Sequence, residues 1–240
     1  MLKIAWAESY VLPLPVNHRF PMSKYELLPQ QLLYEGTIET ANIFNLQYGI
    51  SMNIAGGTHH AFSNRGEGFC LLNDIAIAAR YLLDKKLVHQ ILVIDLDVHQ
   101  GNGTAQIFKD DPRVFTFSMH GKNNYPLVKE VSDLDIGLLD FTDDSIYLTI
   151  LRENLNALLD KVQPDFIFFQ SGVDILKTDK LGHLNVSREG CKQRDRIVLE
   201  AAKKNRIPLV ASMGGGYSED FREIIEAHAN TYRLAQEIFF

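Results

Sequence analysis

The sequence predicts one α/β domain built on a doubly wound, mainly parallel sheet with helices on both faces. Two observations predict this fold class. Apolar, strand-like runs alternate with amphipathic, helix-like segments, which is the order expected when crossover helices join parallel strands. The 240 residues are 46% hydrophobic, enough to cover both faces of such a sheet in a single domain. We therefore expect residues 1–240 to form one domain, with its functional site beyond the carboxyl ends of the strands.

Hydrophobic periodicity and turn residues give the predicted order of elements. Strands are predicted at residues 3–7, 51–54, 91–97, 114–118, 166–169 and 208–212. Helices are predicted at residues 23–34, 39–48, 72–83, 145–161, 187–205 and 218–238. Three prolines within residues 11–21 make that segment a loop.

Local signals place several boundaries. Ser23, with Glu26 three residues later, is expected to form a capping box. Ser187 is expected to cap the helix that it begins. Gly49 is placed as the C′ residue of the preceding helix. The strand at 114–118 alternates enough between polar and apolar residues to be less central in the sheet.

The composition excludes several classes of partner. The formal net charge is −6 and no block of Lys and Arg occurs, so we expect no direct nucleic-acid contact. We expect no membrane span, because no run of about 18 apolar residues occurs. Glu8 comes too early for the apolar core of a signal peptide. Cys70 and Cys191 lack CxxC spacing, which favours reduced thiols without a redox role in a cytoplasmic protein.

The centre of the predicted site is the segment 95–103 (DLDVHQGNG), which follows a buried strand. Alternation along an extended backbone directs Asp95, Asp97 and His99 to one side. Burying these groups together without a partner is costly, and a divalent cation makes the arrangement favourable. Oxygen and nitrogen ligands suggest zinc, with iron(II) as the competitor. Taken alone, the motif also fits a polar strand end hydrogen-bonded to a helix N-terminus.

Four predicted strands end in small or polar residues that carry chemistry. The four segments are 56–60 (GGTHH), 95–103, 170–174 (QSGVD) and 214–217 (GGGY). Separately they have ordinary explanations, namely a surface histidine pair, a capping aspartate, or a flexible turn before a core tyrosine. Together at one edge of a sheet they predict a metal held by two aspartates and one histidine, with a histidine pair and a tyrosine beside it.

These motifs occur in a fixed order: 17–22 (NHRFPM), 56–62 (GGTHHAF), 66–75 (GEGFCLLNDI), 95–103 (DLDVHQGNG), 172–174 (GVD) and 214–217 (GGGY). As a set they resemble the zinc-dependent histone deacetylase family, and they look closest to its class IV-like or bacterial branch. The resemblance runs from near Gly36 to the end of the chain. It implies an arginase/deacetylase α/β fold. It also implies hydrolysis of acetyl-lysine, or of a related N-acyl amine, to a free amine and a carboxylate.

The resemblance implies a role for each polar group of the site. His60 would be the general base, Tyr217 would polarise the substrate carbonyl, and His59 would hydrogen-bond Asp95 while Asn102 faces His60. The implied zinc ligands are Asp97, His99 and Asp174. The implied walls of an acyl-lysine tunnel are Gly68, Phe69 and Gly215. The implied ligands of a structural potassium are Asp95, Ser118 and the carbonyls of Asp97, His99 and Met119.

The chain departs from the family pattern in two places. Asn102 stands where many members have an aspartate, and a neutral partner should leave the pKa of His60 lower than an aspartate would. Members also usually carry some tens of residues between a helix like that at 23–34 and the segment that begins at Gly36. Either this segment is naturally deleted at 35–36, or the sequence omits it.

Two other functions remain open at this stage. An arginase-like ureohydrolase would bind two metals and would need further aspartates in a D-x-H-x-D pattern, where this chain has Gln100 and Asn102. A catalytically silent acyl-lysine binding module would keep the tunnel and the metal but lose the acid and base groups. The expected partner is an acylated lysine on a protein, or a small acylated amine such as an acetylpolyamine.

Overall fold

The computed structural model describes residues 4–5, 11, 13–16, 18–37 and 49–240. Its strands are β1 (Ile4–Ala5), β2 (Ile50–Asn53), β3 (Ile91–Asp95), β4 (Val114–Gly121), β5 (Leu134–Leu138), β6 (Phe166–Gln170) and β7 (Leu209–Ser212). Its helices are α1 (Lys24–Tyr34), α2 (Asp74–Asp84), α3 (Asn102–Phe108), α4 (Asp144–Val162), α5 (Arg188–Asn205) and α6 (Phe221–Phe239). Within these residues, all seven strands pair in parallel in the order β1-β2-β7-β6-β3-β4-β5.

Helices cover both faces of the sheet. Along β3, Leu92 and Ile94 pack into one apolar cluster with residues of α1, α4, α5 and α6. The intervening residues Ile91 and Val93 pack into a second cluster with α2 and with Phe108 of α3. Successive side chains of a strand point to opposite faces, so a strand buried on both sides reads as a continuous apolar run. The predicted doubly wound parallel sheet is confirmed.

The elements observed largely match those predicted, with shifts of a few residues at their ends. β4 lies one strand in from the sheet edge, and is therefore less central than β3, as predicted. Two elements were not predicted. The short helix α3 begins within the Gly-rich segment 95–103, which was expected to form a turn. The edge strand β5 was missed because polar and apolar residues alternate over only five positions and Gly137 interrupts them. The helix predicted at 39–48 lies outside the described residues.

The helix caps give one correction and one confirmation. Ser23 has helical backbone angles and its side chain makes no cap hydrogen bond, so the predicted capping box is wrong. The helix instead begins from a turn in which the Lys24 amide donates to the carbonyl of Pro21. At α5, Ser187 caps as predicted, because its hydroxyl accepts from the amide of Gly190 at 3.0 Å.

None of the described helices combines the length and apolar character needed to cross a membrane.

Candidate active site

Three buried side chains from two adjacent strand ends form a compact cluster. Asp97 and His99 follow β3, Asp174 follows β6, and these strands are direct neighbours in the sheet. One ligand atom of each residue lies within 4.8 Å of the others. The Nδ1 atom of His99 is 3.1 Å from Oδ1 of Asp97 and 3.1 Å from Oδ2 of Asp174. The structure thus brings together the three residues expected to bind metal.

Backbone amides donate hydrogen bonds to the carboxylates of Asp97 and Asp174 and hold them in place. The amide of Gly215 donates to Oδ2 of Asp97 at 2.8 Å, and the amide of Val98 donates to Oδ1 of Asp174 at 2.9 Å. Gly215 must be glycine, because a Cβ atom there would lie 1.9 Å from Oδ2 of Asp174. The β7–α6 loop therefore packs its backbone directly against the cluster.

The charges of the cluster fit a divalent cation. In the protein alone, burial and the nearby charge of Asp97 together raise the pKa of Asp174 to about 7. Burial lowers the pKa of His99, but the hydrogen bonds and charges of Asp174 and Asp97 outweigh it and raise that pKa to about 10. Two carboxylates and one imidazole are also a donor set suited to a zinc-type ion.

Two adjacent histidines lie beside the cluster with different partners. His59 Nδ1 is 2.7 Å from a carboxylate oxygen of Asp95, and His60 Nδ1 is 2.7 Å from the amide oxygen of Asn102. Burial lowers the pKa of His59, but the charges of Asp95 and Asp97 outweigh it and raise the pKa to about 9. Burial and the charge of His59 both hold the pKa of His60 well below its usual value. At neutral pH one ring is charged and its neighbour is neutral.

A pocket of about 430 Å³ lies next to the two histidines and the cluster. His60 and His99 lie at its base, and the rings of Phe69, Tyr125 and Tyr217 line it. Tyr125 packs edge-on against His60, with ring centroids 5.1 Å apart. The predicted wall residues Gly68 and Phe69 line this pocket, while Gly215 lies deeper, beside the cluster.

Two residues of the site, Tyr125 and Lys24, were not predicted from the sequence. Tyr125 stands in a polar loop that carries no motif. Lys24 lies at the start of α1 and is fully buried, with its ammonium 5.6 Å from the centre of the Tyr217 ring. Its Nζ donates to the carbonyl of Gly214 at 2.8 Å, and burial lowers its pKa to about 8. No sequence pattern singled out Lys24, which lies two residues after the 17–22 segment.

The residues expected to hold potassium lie at the end of β3, in the segment that follows it, and within β4. Asp95 is in register with Ser118 across the β3–β4 pair. Met119, the residue after Ser118 in β4, is fully buried. The Ser118 hydroxyl lies 2.9 Å from Nδ1 of His120, and Asp95 accepts from His59 and from the amide of Asp97.

A buried arginine, also missed, ties the metal-side loops together. The Arg194 guanidinium donates to the carbonyl of Leu96 at 3.1 Å, and to the carbonyls of Ser171 and Gly172 at 3.2 Å and 2.7 Å. Its charge is paired with Asp195 at 2.7 Å, and neither side chain is exposed. Because Leu96 precedes Asp97 and Gly172 precedes Asp174 by two residues, Arg194 holds both segments that carry the expected ligands.

Comparison with known proteins agrees with this geometry. A family model described as the histone deacetylase domain matches residues 7–232. An uncharacterised protein of Picosynechococcus sp. is 36% identical over 98% of this chain and 99% of its own length. That alignment spans 296 positions, more than the 240 residues here, so the relative has residues without a counterpart in this chain.

Two named relatives are longer proteins. Histone deacetylase 2 of Arabidopsis thaliana is 32% identical over 90% of this chain, and histone deacetylase 1 of Homo sapiens is 32% identical over 78% of it. The chain spans 56% of the length of the plant relative and 40% of the human one. The family match, which extends over most of the chain, and these identities show that the chain belongs to the histone deacetylase family.

Proposed function

We propose that the protein is a zinc-dependent deacetylase that hydrolyses acetyl-lysine, or a related N-acyl amine, to the free amine and a carboxylate. One observation carries the proposal. The buried cluster of Asp97, His99 and Asp174 reaches an aromatic pocket through His99, which lines that pocket together with the neutral His60 and with Tyr217. Membership of the histone deacetylase family supports a deacetylase-type hydrolase.

Asp97, His99 and Asp174 would hold the metal, for which zinc is the first candidate and iron(II) the second. When bound, such an ion supplies Lewis-acid polarisation and makes water more acidic at neutral pH. A structural potassium held by Asp95, Ser118 and the carbonyls of Asp97, His99 and Met119 remains part of the proposal.

His60, Tyr217 and His59 have different roles in the proposed reaction. His60 is neutral and at the base of the pocket, so it accepts the proton of the attacking water. Tyr217 stays protonated, because burial and the charge of Asp174 hold its pKa well above the usual value, and its hydroxyl donates to the developing oxyanion. His59 is charged and stabilises negative charge nearby. A protonated histidine then delivers the proton to the leaving amine.

The pocket walls favour a neutral, acylated stem. The rings of Phe69, Tyr125 and Tyr217 line the pocket, and the lining also includes the basic residue Arg19. Such walls accept an extended aliphatic chain and exclude water from the chemistry. A free lysine or polyamine, which is charged, would lose its hydration there without a compensating partner. An acylated lysine on a protein and an acylated small amine both fit this requirement.

A second metal, as in an arginase-like enzyme, has little support. The Gln100 side chain bonds the carbonyl of Glu130 and the carboxylate of Asp135, and so is already engaged away from the cluster. Among the described residues, one group of His, Cys, Asp and Glu has metal-binding proximity.

The test is turnover of a fluorogenic acetyl-lysine amide by protein whose zinc content is measured in the same sample. Parallel assays should use acetyl-lysine peptides, longer acyl-lysines and acetylpolyamines. We expect turnover of at least one substrate, with His60→Ala as the matched inactive control. Folded, zinc-loaded protein that turns over none of them would instead support the silent binding module.

A further inference from the structure

The side chain that faces His60 is itself held by a carboxylate. Asn102 Nδ2 donates to Oε1 of Glu67 at 2.8 Å, while its amide oxygen faces Nδ1 of His60. The same Oε1 accepts the hydroxyl of Tyr125 at 2.8 Å, and the other oxygen accepts from Arg65 Nε at 3.1 Å. A continuous chain of hydrogen bonds therefore runs from the base of the pocket to the Glu67 carboxylate.

The charge state of Glu67 determines which way the amide of Asn102 points. Burial raises the pKa of Glu67, but the hydrogen bonds from Tyr125 and Asn102 outweigh it, so the carboxyl is ionised at neutral pH. An ionised carboxylate can only accept hydrogen bonds. Asn102 must therefore turn its NH₂ group to Glu67 and its oxygen to His60.

That orientation decides where the proton of His60 sits. An amide oxygen has no hydrogen to donate, so the Nδ1 atom of His60 must carry the hydrogen of their shared bond. In a neutral imidazole the other nitrogen, Nε2, is then a free acceptor. If the Asn102 amide were reversed, its NH₂ would face Nδ1, the hydrogen would move to Nε2, and His60 could not accept a proton in the pocket.

We propose that Glu67 is a positioning residue that selects the Nδ1–H tautomer of His60 by fixing the amide of Asn102. The inference rests on the proposed function, because it assigns a purpose to the tautomer. It also gives a physical reason why a neutral side chain suffices at position 102. A carboxylate there presents only acceptors and selects this tautomer unaided, whereas an amide can present either group and needs an external acceptor.

The first test separates orientation from local packing. Glu67→Ala should lower kcat by about 10- to 100-fold, by analogy with the loss of groups that orient metal-bound histidines, while KM and zinc content change little. Glu67→Gln, whose amide can face Asn102 with either group, should fall between the wild type and Glu67→Ala. Glu153→Gln, an exposed glutamate on α4, is the matched control and should behave as the wild type. A wild-type kcat in folded Glu67→Ala would overturn the inference.

The second test exchanges the two chemical groups. Asn102→Asp alone places a carboxylate against Glu67 and should be damaging through repulsion. Adding Glu67→Gln removes the repulsion and supplies an NH₂ donor to the new carboxylate, which accepts from His60. The double variant should recover at least about tenfold in kcat over Asn102→Asp. A double variant no better than Asn102→Asp would contradict the orienting role.

The third test does not depend on activity. Nitrogen-15 NMR distinguishes the two neutral tautomers of histidine, and the spectrum of His60→Ala assigns the resonances of His60. The zinc-loaded wild type should show the Nδ1–H form, and Glu67→Ala should show a population of the Nε2–H form. An unchanged tautomer in Glu67→Ala would refute the inference even if the kcat of that variant had fallen. A protein that hydrolyses no tested amide would instead refute the proposed function, and the NMR result would still decide the role of Glu67.

Discussion

The Nδ1 atom of His59 lies 2.7 Å from a carboxylate oxygen of Asp95, and both side chains are buried. His60, whose ring centroid is only 4.1 Å from that of His59, faces an amide instead. A carboxylate stabilises the imidazolium form, whereas an amide oxygen accepts a hydrogen bond from either form. The two neighbouring rings therefore differ in charge at neutral pH, and their variants should differ in effect.

We expect His60→Ala to lower kcat by about 10²–10⁴-fold, the range for loss of a positioned general base. His59→Ala should be less damaging, since it removes a nearby charge rather than the proton acceptor. KM should change much less than kcat in both variants, and zinc content should not fall. Steady-state kinetics with metal analysis measures all three quantities. Near-normal kcat in His60→Ala together with an inactive His59→Ala would reverse the assignment.

Tyr217→Phe should lower kcat by about 10²–10³-fold, as expected for loss of one oxyanion donor. The variant keeps the ring that packs against Phe69 and His99, with centroids 6.1 Å and 6.2 Å away, so substrate binding should persist. Tyr81→Phe, at an exposed position on α2, is the matched control. Unchanged kcat in Tyr217→Phe would mean that the metal polarises the carbonyl alone.

Asp174→Ala should abolish stoichiometric zinc binding, because it removes one of three ligands at the base of the pocket. Asp165→Ala removes a carboxylate just before β6, where it bonds the amides of His89 and Gln90 instead, and should retain zinc. Elemental analysis of both proteins after dialysis provides the comparison. Equal metal in the two variants would exclude the proposed ligand set.

Zinc affinity should fall as the pH falls. In the protein alone the pKa of His99 is raised to about 10 and that of Asp174 to about 7, so the cluster holds more protons at pH 6 than at pH 8. A metal must displace those protons, so lowering the pH favours proton binding over metal binding. We expect the apparent Kd to weaken by roughly tenfold per pH unit for each proton displaced. Chelator competition measures the Kd at each pH, and calorimetry in buffers of different ionisation enthalpy measures the number of protons released. A Kd independent of pH would refute competition between protons and zinc.

The strand-end pattern was sufficient to predict a cluster of two aspartates and one histidine, and the resemblance to the family identified its members as Asp97, His99 and Asp174, which the structure brings together. Asp97 and His99 follow β3, Asp174 follows β6, and parallel strands bring these ends to one edge. Tyr217 and the histidine pair could be placed by the same reasoning. The position of a residue just after a parallel strand was thus enough to predict its proximity to residues far away in sequence.

The residues that support the cluster could not be predicted in this way. Lys24 and Arg194 lie on helices, and their burial depends on how those helices pack, which no local pattern states. Glu67 acts through Asn102, 35 residues away. Ser23 shows that a local signal can also mislead. Its capping pattern was present in the sequence, but the chain enters the helix through a turn and the Ser23 side chain makes no cap hydrogen bond. The edge strand β5 was missed because its short alternating segment resembles a loop.

Arg194→Met provides a test of whether the metal site depends on that buried packing. The substitution removes the donors to the carbonyls of Leu96, Ser171 and Gly172 and leaves Asp195 buried without its partner. Breaking a buried ion pair from one side costs about 3–5 kcal/mol of unfolding free energy. Loss of groups that orient ligand segments costs about 10- to 100-fold in metal affinity.

A double variant separates these two effects. Arg194→Met with Asp195→Asn removes the uncompensated charge, and the new amide can still accept the hydroxyl of Thr231, which now lies 2.7 Å from the Asp195 carboxylate. Most of the lost unfolding free energy should return, as measured by denaturant titration. Zinc affinity should remain low, because the carbonyls beside the ligands still lack their donor. If zinc affinity returns together with stability, Arg194 acts only as the counter-ion of Asp195, and the ligand segments hold their geometry without it.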